Sequence, residues 1–446
     1  MLSNWTPDSW KKCPAAQQPA YADVGELNEV LAVLRRLPPL VTSWEIDRLR
    51  EQMAEAQRRE AWVLQGGDCA ESFLDCTAET IASKIKVLLQ MSLVLLFRSK
   101  RRIIRIGRIA GQYAKPRSND FERRDGVELP SYRGDLINRA AFTAEHRHHD
   151  PALLLRGYER AALTLNFIRG LSEGGFADLH HPENWDLDFV ANSPECEKYH
   201  ELVRSLRDAL AFIDTISPTP RRELERVDFY TSHEALHLAF EHALTRQSVR
   251  GTGWYNLGTH FPWIGERTRD VHGAHVELLR GIRNPIGIKL GPRVTGEEVI
   301  DLLRILNPQN EPGRITLIHR MGHAAIGTAL PPLIEAVNEA KRPVLWACDP
   351  MHGNTVTTED GKKTRKFDDI LGELNQAFHI HRHCGSWLGG VHLELTGERV
   401  TECIGGSSGL TEDDLGAAYN SFCDPRLNYE QAMEIAFAIA DRISQS

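Results

Sequence analysis

The sequence lacks several features that would place it in specialised classes of protein. It has 8 cysteines in 446 residues, too thinly spread for a disulfide framework. Its most apolar run, Val87–Phe97, is broken by polar residues and is too short to cross a bilayer. Positive charge is not in excess, since 53 Lys and Arg face 61 Asp and Glu. We therefore expect no disulfide-stapled miniprotein, no membrane protein and no general nucleic-acid binder.

The first residues, Met1–Trp5, contain no basic segment that leads into an apolar one, so we expect no secretory signal. Sparse cysteines are typical of a reducing compartment, and we expect a cytoplasmic protein. Its cysteines would then be free thiols, metal ligands or redox-active pairs. What the sequence does have is 41% hydrophobic residues, enough to build a large core.

Short apolar runs alternate with helical patterns from residue 61 onward. The runs are almost continuously apolar, as expected of strands that are buried on both faces. The eight runs are Ala61–Gln65, Ile103–Gly107, Val227–Tyr230, Trp254–Leu257, Pro285–Lys289, Ile315–Ile318, Val344–Ala347 and Val391–Leu395. Eight such units predict an α/β fold of the (β/α)8 TIM barrel type. A doubly wound sheet is the alternative, but no Gly-x-Gly-x-x-Gly loop follows any run.

Helical patterns fill the intervals between these runs. The predicted barrel helices are Thr77–Phe97, His233–Arg246, Thr268–Arg283, Glu297–Leu306, Ala329–Ala340, Phe367–His383 and Tyr429–Ile443. The long gap between the second and third runs holds two more, Leu153–Leu171 and Glu195–Ile213, and no strand pattern.

Length alone would suggest about three domains. The patterns instead predict an N-terminal extension over 1–60 and a single catalytic barrel over 61–446. Within the barrel domain we expect a helical insertion over 140–226, between the second and third strands, that serves oligomerisation or regulation.

Function in such a barrel is expected just beyond the carboxyl ends of the strands, where two sets of side chains stand out. The set that can bind a metal is Cys69, His352, Glu394 and Asp424. The cationic set is Arg108, Lys115, Arg117, Arg267, Lys289 and Arg320. Six cations at one mouth would repel each other without an anionic ligand, and phosphate or carboxylate is the usual one. The mixed donors suit Mn, Co, Fe or Zn better than Mg or Ca.

Single residues of these types are more often part of the core, so the metal prediction depends on the convergence of all four. Arg267 opens a predicted helix, where backbone N–H groups favour anions. The basic segment Lys362–Lys366 follows the His352 loop, and of two interpretations, an edge of the site or a solvated loop, we expect the solvated loop.

Three longer motifs resemble the type II (plant-like) 3-deoxy-D-arabino-heptulosonate 7-phosphate (DAHP) synthases. They are Leu64–Glu71, Arg108–Ser118 and Cys348–Asn354, and the resemblance extends over nearly the whole chain. It implies a transferase, 3-deoxy-7-phosphoheptulonate synthase, on a TIM barrel. Such an enzyme condenses phosphoenolpyruvate with D-erythrose 4-phosphate to give DAHP and phosphate. This is the first step of the shikimate pathway to chorismate and the aromatic amino acids.

The resemblance also implies roles for individual residues. The metal would be bound by Cys69, His352, Glu394 and Asp424. Mn²⁺ or Co²⁺ would be preferred, and Zn²⁺ or Fe²⁺ would be the next choice. Phosphoenolpyruvate would be held by Arg108, Glu266, Arg267, Lys289 and Arg320. Erythrose 4-phosphate would be bound by Lys115, Arg117 and Ser118. The residues closest to the chemistry would be Lys289, Arg108 and Glu266, and Glu234 would line the site.

The implied reaction begins when the metal polarises the aldehyde of erythrose 4-phosphate. Carbon C3 of phosphoenolpyruvate then attacks, water adds at C2, and the hemiketal phosphate collapses. Lys289 or a metal-bound water would move the protons, and the sequence does not choose between them. Cys423 adjoins Asp424, so we expect that oxidation joins it to Cys69 and expels the metal.

Long-form proteins that resemble this chain use inserted helices to bind aromatic amino acids. We therefore expect tryptophan as an allosteric effector and a homo-oligomer, either a dimer or a tetramer. Two other functions stay open at this point. One is an inactive homologue that senses a phosphorylated ligand or assembles with a partner. The other is a class II aldolase, although those usually bind zinc through several histidines.

Overall fold

The computed structural model describes residues 4–173, 176, 196–216, 227–249, 251 and 253–444. Its strands in chain order are β1 Ala61–Gly67, β2 Arg102–Arg108, β3 Phe121–Arg124, β4 Val127–Pro130, β5 Phe229–Glu234, β6 Thr245–Gln247, β7 Trp254–Asn256, β8 Phe261–Ile264, β9 Ile286–Leu290, β10 Ile315–His319, β11 Leu345–Cys348, β12 Thr355–Thr357, β13 Lys363–Arg365 and β14 Leu388–Glu394. Eight of these strands, all parallel, close a barrel in the order β1-β2-β5-β8-β9-β10-β11-β14. The predicted (β/α)8 barrel is confirmed.

The α-helices lie around this barrel and at its ends. They are Val24–Leu34, Ser43–Gln57, Ala78–Ser99, Ala144–Arg147, Ala152–Glu173, Cys196–Ile216, Leu238–Leu244, Ala274–Arg280, Gly296–Leu306, Ile326–Glu339, Phe367–His383 and Tyr429–Ile443. Many begin at a capping side chain. Asn428, for example, accepts the backbone N–H of Gln431, whose side chain in turn accepts the N–H of Asn428.

Seven of the eight predicted strands overlap barrel strands, but the fourth, Trp254–Leu257, is wrong. Residues Trp254–Asn256 form β7, which pairs antiparallel with β6 outside the barrel. The fourth barrel strand is β8, which contains Pro262 and pairs with β5 and β9. The helices predicted over His233–Arg246 and Thr268–Arg283 are also shorter, at seven residues each.

The helix Ser43–Gln57 closes the amino-terminal end of the barrel. It starts with a capping box between Thr42 and Glu45. Its Leu49 and Met53 are fully buried in one cluster with inward-facing strand residues such as Val63 and Ile104. Because this end is filled with apolar side chains, the opposite end is where polar groups can gather.

The segment between β2 and β5 contains helices at both predicted positions, within Ala152–Glu173 and Cys196–Ile216. It also contains the hairpin of β3 and β4, so the expectation that it has no strand is wrong. Parts of the predicted insertion, 177–195 and 217–226, lie outside the described residues. The insertion over 140–226 as a separate unit stays a prediction.

One helix, Ala78–Ser99, is long and apolar enough to cross a membrane by length and composition alone. Two-thirds of its apolar window is buried, and the helix packs against Tyr429–Ile443 and the outer face of β1 and β2. Its apolar character therefore follows from its place in the core.

Candidate active site

A cavity of about 540 Å³ lies at the carboxyl ends of the barrel strands. Ten of the predicted site residues line it: Cys69, Arg108, Lys115, Glu234, Glu266, Arg267, Lys289, Arg320, His352 and Asp424. Arg117 and Ser118 line a more open cavity of about 1310 Å³ that shares Lys115 and Asp424 with the first. The residues predicted for two substrates are therefore neighbours in space.

The four predicted metal ligands come together from four different parts of the chain. One ligand atom each from Cys69, Glu394 and Asp424 lies within 4.8 Å of the others. Nε2 of His352 lies 3.1 Å from Oε1 of Glu394. Three of the four residues are buried, and the donors are a thiol, an imidazole and two carboxylates. This donor set fits a borderline divalent ion.

A glycine shapes the approach to Cys69. Gly67 ends β1 with φ +143°, and a Cβ there would lie 2.6 Å from the carbonyl oxygen of Arg108. Only glycine fits at this position, where the chain leaves β1 and continues to Cys69.

Lys115 lies against the metal-capable group. Its ammonium contacts Cys69 Sγ and lies 2.5 Å from Oδ2 of Asp424. Against the effect of burial, the charge of Lys115 holds the pKa of Asp424 far below its usual range. Burial raises the pKa of Cys69 well above its usual value. The metal-capable group therefore already attracts one cation, the Lys115 ammonium, and Asp424 in this group is ionised.

The segment Lys362–Lys366 is not the solvated loop that we expected. Lys363 lies 2.8 Å from Oδ1 of Asp424, and Arg365 is fully buried 2.7 Å from Oε2 of Glu394. The hairpin of β12 and β13 brings these two cations back over the site. Each of the two predicted carboxylate ligands thus has a cation that orients it.

Arg108 is held rigidly at the end of β2. Its Nε donates to the Asp68 carbonyl at 2.8 Å, and Nη2 donates to the Cys69 carbonyl at 3.0 Å and to Glu394 at 2.9 Å. Nη1 lies 2.5 Å from Nε2 of His392. A guanidinium has five N–H bonds. With four of them accounted for, one on Nη1 remains for a ligand in the cavity.

Asp349 is a site residue whose role sequence reasoning missed. Its Oδ2 contacts the Lys289 ammonium and lies 2.7 Å from Nδ1 of His352. It therefore orients a predicted metal ligand and a predicted substrate cation at once, as carboxylates behind a ligating histidine commonly do. Burial lowers the pKa of Lys289 to about 8. The signal was present, since Asp349 lies inside the Cys348–Asn354 motif.

The family model described as "Class-II DAHP synthetase family" matches residues 5–440. The chain belongs to this family. Two relatives are both named phospho-2-dehydro-3-deoxyheptonate aldolase. The one from Neurospora crassa is 48% identical over 457 residues, which cover 99% of this chain and 95% of that protein. The one from Streptomyces coelicolor is 47% identical over 434 residues, which cover 97% and 96% respectively. The predicted family and enzyme class, a DAHP synthase, are confirmed.

A solved structure, a truncated form of 3-deoxy-D-arabino-heptulosonate 7-phosphate synthase from Thermotoga maritima, is also similar. It is 12% identical with a TM-score of 0.32, covering 86% of this chain and 88% of that one. The fold assignment rests on the closure of the barrel itself.

Two further cations, Arg267 and Arg320, line the cavity. Arg320 donates to the His352 carbonyl at 3.1 Å, and its Nε is buried without a hydrogen-bond partner among the described residues. Arg267 is exposed and donates to Ser118 at 2.8 Å. The expectation that Arg267 opens a helix is wrong, because the helix that follows begins only at Ala274.

Two acids complete this DAHP synthetase site. Glu266 is held by Arg269 at 3.0 Å and by the backbone N–H of Gly291 at 2.7 Å. Glu234 ends β5, and its Oε1 is buried without a hydrogen-bond partner in the described chain. Burial raises the pKa of Glu234, against the opposing charge of Lys289. Glu234 is thus the acid in the cavity that most readily keeps its proton.

Cys423 lies in one buried cluster with Cys69 and Tyr132. Burial and then a hydrogen bond with Cys423 raise the pKa of Cys69, and the same hydrogen bond lowers the pKa of Cys423 to about 7. The two thiols of the DAHP synthetase site are therefore neighbours, and Cys423 is the one that ionises first.

Proposed function

We propose that this chain condenses phosphoenolpyruvate with D-erythrose 4-phosphate to give DAHP and phosphate. The observation that carries the proposal is the cavity that joins the metal-capable group to the cations Lys289, Arg267 and Arg320. Both proposed substrates are phosphorylated anions, and one is also a carboxylate. Holding the two at reacting distance is itself a large contribution to the rate.

Phosphoenolpyruvate is assigned to the first, less open cavity. Its phosphate and carboxylate match the donors of Arg320 and Lys289 and the remaining Nη1 hydrogen of Arg108. The unpartnered Nε of Arg320 is a buried donor that such an anion would satisfy. Glu266 keeps its position through Arg269 and shapes the wall beside Arg267.

Erythrose 4-phosphate is assigned to the adjoining open cavity. It is lined by Lys115, Arg117, Ser118 and Lys363. Its phosphate would lie at the open end, and its aldehyde would point towards Cys69 and Asp424. In this pose Lys115 exchanges its contact with Asp424 for the sugar phosphate.

A divalent ion fits the four donors Cys69, His352, Glu394 and Asp424, with Mn²⁺ or Co²⁺ preferred and Zn²⁺ or Fe²⁺ suited to the same donors. When bound, the ion would supply a Lewis acid for the aldehyde oxygen. Arg365 and Lys363 keep the two carboxylates ionised, and Asp349 fixes the tautomer of His352.

Proton handling is assigned to Lys289, because its pKa of about 8 lies close to a working pH near neutrality. Asp349 accepts a hydrogen bond from its ammonium, and the negative charge of Asp349 favours the charged form of Lys289. Glu234 faces the same cavity, and the raised pKa of its carboxyl group suits it to exchange a proton with a bound substrate.

The experiment that tests the function follows phosphoenolpyruvate loss with and without erythrose 4-phosphate. Loss that requires erythrose 4-phosphate supports the proposal. No loss under either condition supports an inactive homologue that senses a phosphorylated ligand. Cleavage or condensation of other aldehydes without phosphoenolpyruvate supports a class II aldolase.

The metal assignment has its own test in the variant Cys69→Ala. We expect it to lose at least about 10²-fold in activity and to bind the ion more weakly, because one of four ligands is gone. Cys76→Ala is the matched control, since that thiol contacts the Arg160 carbonyl on the outer helices. Full activity of Cys69→Ala with added Mn²⁺ would show that the assignment is wrong.

A further inference from the structure

A second group of metal-capable side chains lies behind the active site, between the barrel wall and the helix Phe367–His383. His319 ends β10, Cys348 ends β11, and Glu373 belongs to the helix. One ligand atom of each lies within 4.8 Å of the others, and all three residues are buried. They face outward from the barrel, so they are separate from the substrate cavity.

His381 lies next to this group on the same helix. Its Nε2 is 3.4 Å from Nε2 of His319, and its Nδ1 is 2.5 Å from Oγ of Ser386. Nε2 of His319 is thus occupied by His381, which leaves Nδ1 as the atom of His319 that can bind an ion. Burial lowers the pKa of His319 to about 3 and that of His381 well below its usual range. Both imidazoles are therefore neutral, and a neutral imidazole is the form in which His319 can bind a metal.

Two further observations point to a ligand at this place. Nδ1 of His319 is buried and has no hydrogen-bond partner among the described residues, a costly state for a polar atom. The carboxylate of Glu373 is oriented by the backbone N–H of Met321 at 2.9 Å and by the side-chain amide of Asn354 at 2.7 Å. Carboxylates that bind metals are commonly fixed by such hydrogen bonds.

We propose that His319, through its Nδ1, binds a divalent ion of the zinc class together with Cys348 and Glu373. Thiolate, imidazole and carboxylate are all zinc ligands, and a water molecule would complete the usual four positions. The thiol and the carboxylic acid each release a proton on binding, so the ion supplies the positive charge that lets both ionise. Zn²⁺ and its spectroscopic substitute Co²⁺ are the ions concerned.

The position of the group gives the ion a role in shaping the active site. Arg320 follows His319 directly, and Asp349 follows Cys348. The backbone N–H of Asp349 also donates to the carbonyl of His319 at 2.8 Å. An ion here would fix the ends of β10 and β11 to the helix behind them. It would thereby position Arg320, which lines the cavity, and Asp349, which contacts Lys289 behind it.

The test uses the full chain produced in cobalt-supplemented medium, so that the ion is present during folding. A thiolate ligand gives Co²⁺ a charge-transfer absorption band in the near ultraviolet. The Cys69→Ser variant removes the thiolate of the active site. We expect that Cys69→Ser keeps a cobalt–thiolate band, and that adding Cys348→Ser abolishes it. Elemental analysis should show about two ions per chain in the unaltered protein and about one in Cys348→Ser.

Two variants make the outcome decisive. Cys69→Ser with Cys76→Ser is the matched control, and it should keep the band because Cys76 contacts the Arg160 carbonyl instead. Cys69→Ser with Glu373→Gln keeps the shape of the helix residue and should lose the second ion. The proposal is overturned if Cys69→Ser has no cobalt–thiolate band. It is also overturned if the band and the metal content survive Cys348→Ser.

Discussion

Lys289 shows how burial can tune a single charge for binding. It is buried, contacts Asp349 and faces the cavity, and its pKa is lowered by burial to about 8. The ammonium is therefore charged below about pH 8 and neutral above it. If it holds an anionic substrate, binding should weaken on the alkaline side.

We predict that kcat/KM for phosphoenolpyruvate falls as the pH rises through about 8, approaching tenfold for each further unit. The measurement is a pH series at saturating erythrose 4-phosphate. Lys289→Arg is the control for binding, because a guanidinium keeps its charge throughout, and its affinity for phosphoenolpyruvate should not fall over this range. A flat profile for the unaltered chain from about pH 7 to about pH 9.5 would refute the role given to Lys289.

The pair Cys69 and Cys423 supports a second prediction at this scale. Removal of the metal followed by air oxidation should join the two thiols, because Cys423 ionises near neutrality beside its partner. All 8 cysteines are free, so thiol titration should then find two fewer. Cys423→Ser should keep the Cys69 thiol titratable. If all 8 thiols of the unaltered chain remain titratable after oxidation, the pairing is excluded.

At the scale of elements, the loop that carries Asp424 is fastened to the end of β1 by buried charges. Arg426 lies 2.7 Å from Asp68 and 2.8 Å from Glu402, and Lys84 contacts Asp68 from the helix Ala78–Ser99. Asp68 precedes Cys69 in the chain. The network therefore holds two predicted metal ligands in one arrangement.

We predict that Arg426→Met lowers the free energy of unfolding by about 3–5 kcal/mol, since Glu402 is left buried without its cation. The affinity for the active-site metal should also fall by about 10–100-fold. Urea unfolding and a metal titration measure the two effects. Arg304→Met removes an exposed ion pair with Asp301 and should cost less than about 1 kcal/mol. Equal stability of both variants would mean that the network does not fasten the loop.

The elements also show what the sequence can and cannot predict. β1 and β14 were predictable because buried parallel strands are continuous apolar runs. β8 was not, because Pro262 interrupts its run and proline normally argues against a central strand.

The four metal-capable residues were predictable because strand ends converge in a barrel. Arg365 was not, because a local charge run is usually solvated and only the hairpin of β12 and β13 returns it to Glu394.

At the scale of the whole molecule, a net charge of −8 coexists with a cavity lined by five cations. The predicted insertion over 140–226 also concerns the whole molecule. The proposed dimer or tetramer and the proposed aromatic effector do so as well. We predict that tryptophan lowers the initial rate and binds with measurable heat, while leucine does neither. An unchanged rate together with no binding heat would exclude this regulation.

The central claim is that one cavity joins a metal site to an anion site and so condenses two phosphorylated substrates. The most direct measurement follows phosphoenolpyruvate loss and phosphate release together, with a chelator and then with added Mn²⁺. We predict equal amounts of loss and release that require erythrose 4-phosphate, stop with the chelator and return with Mn²⁺. Phosphate release that proceeds without erythrose 4-phosphate, or that is indifferent to the chelator, would contradict the claim.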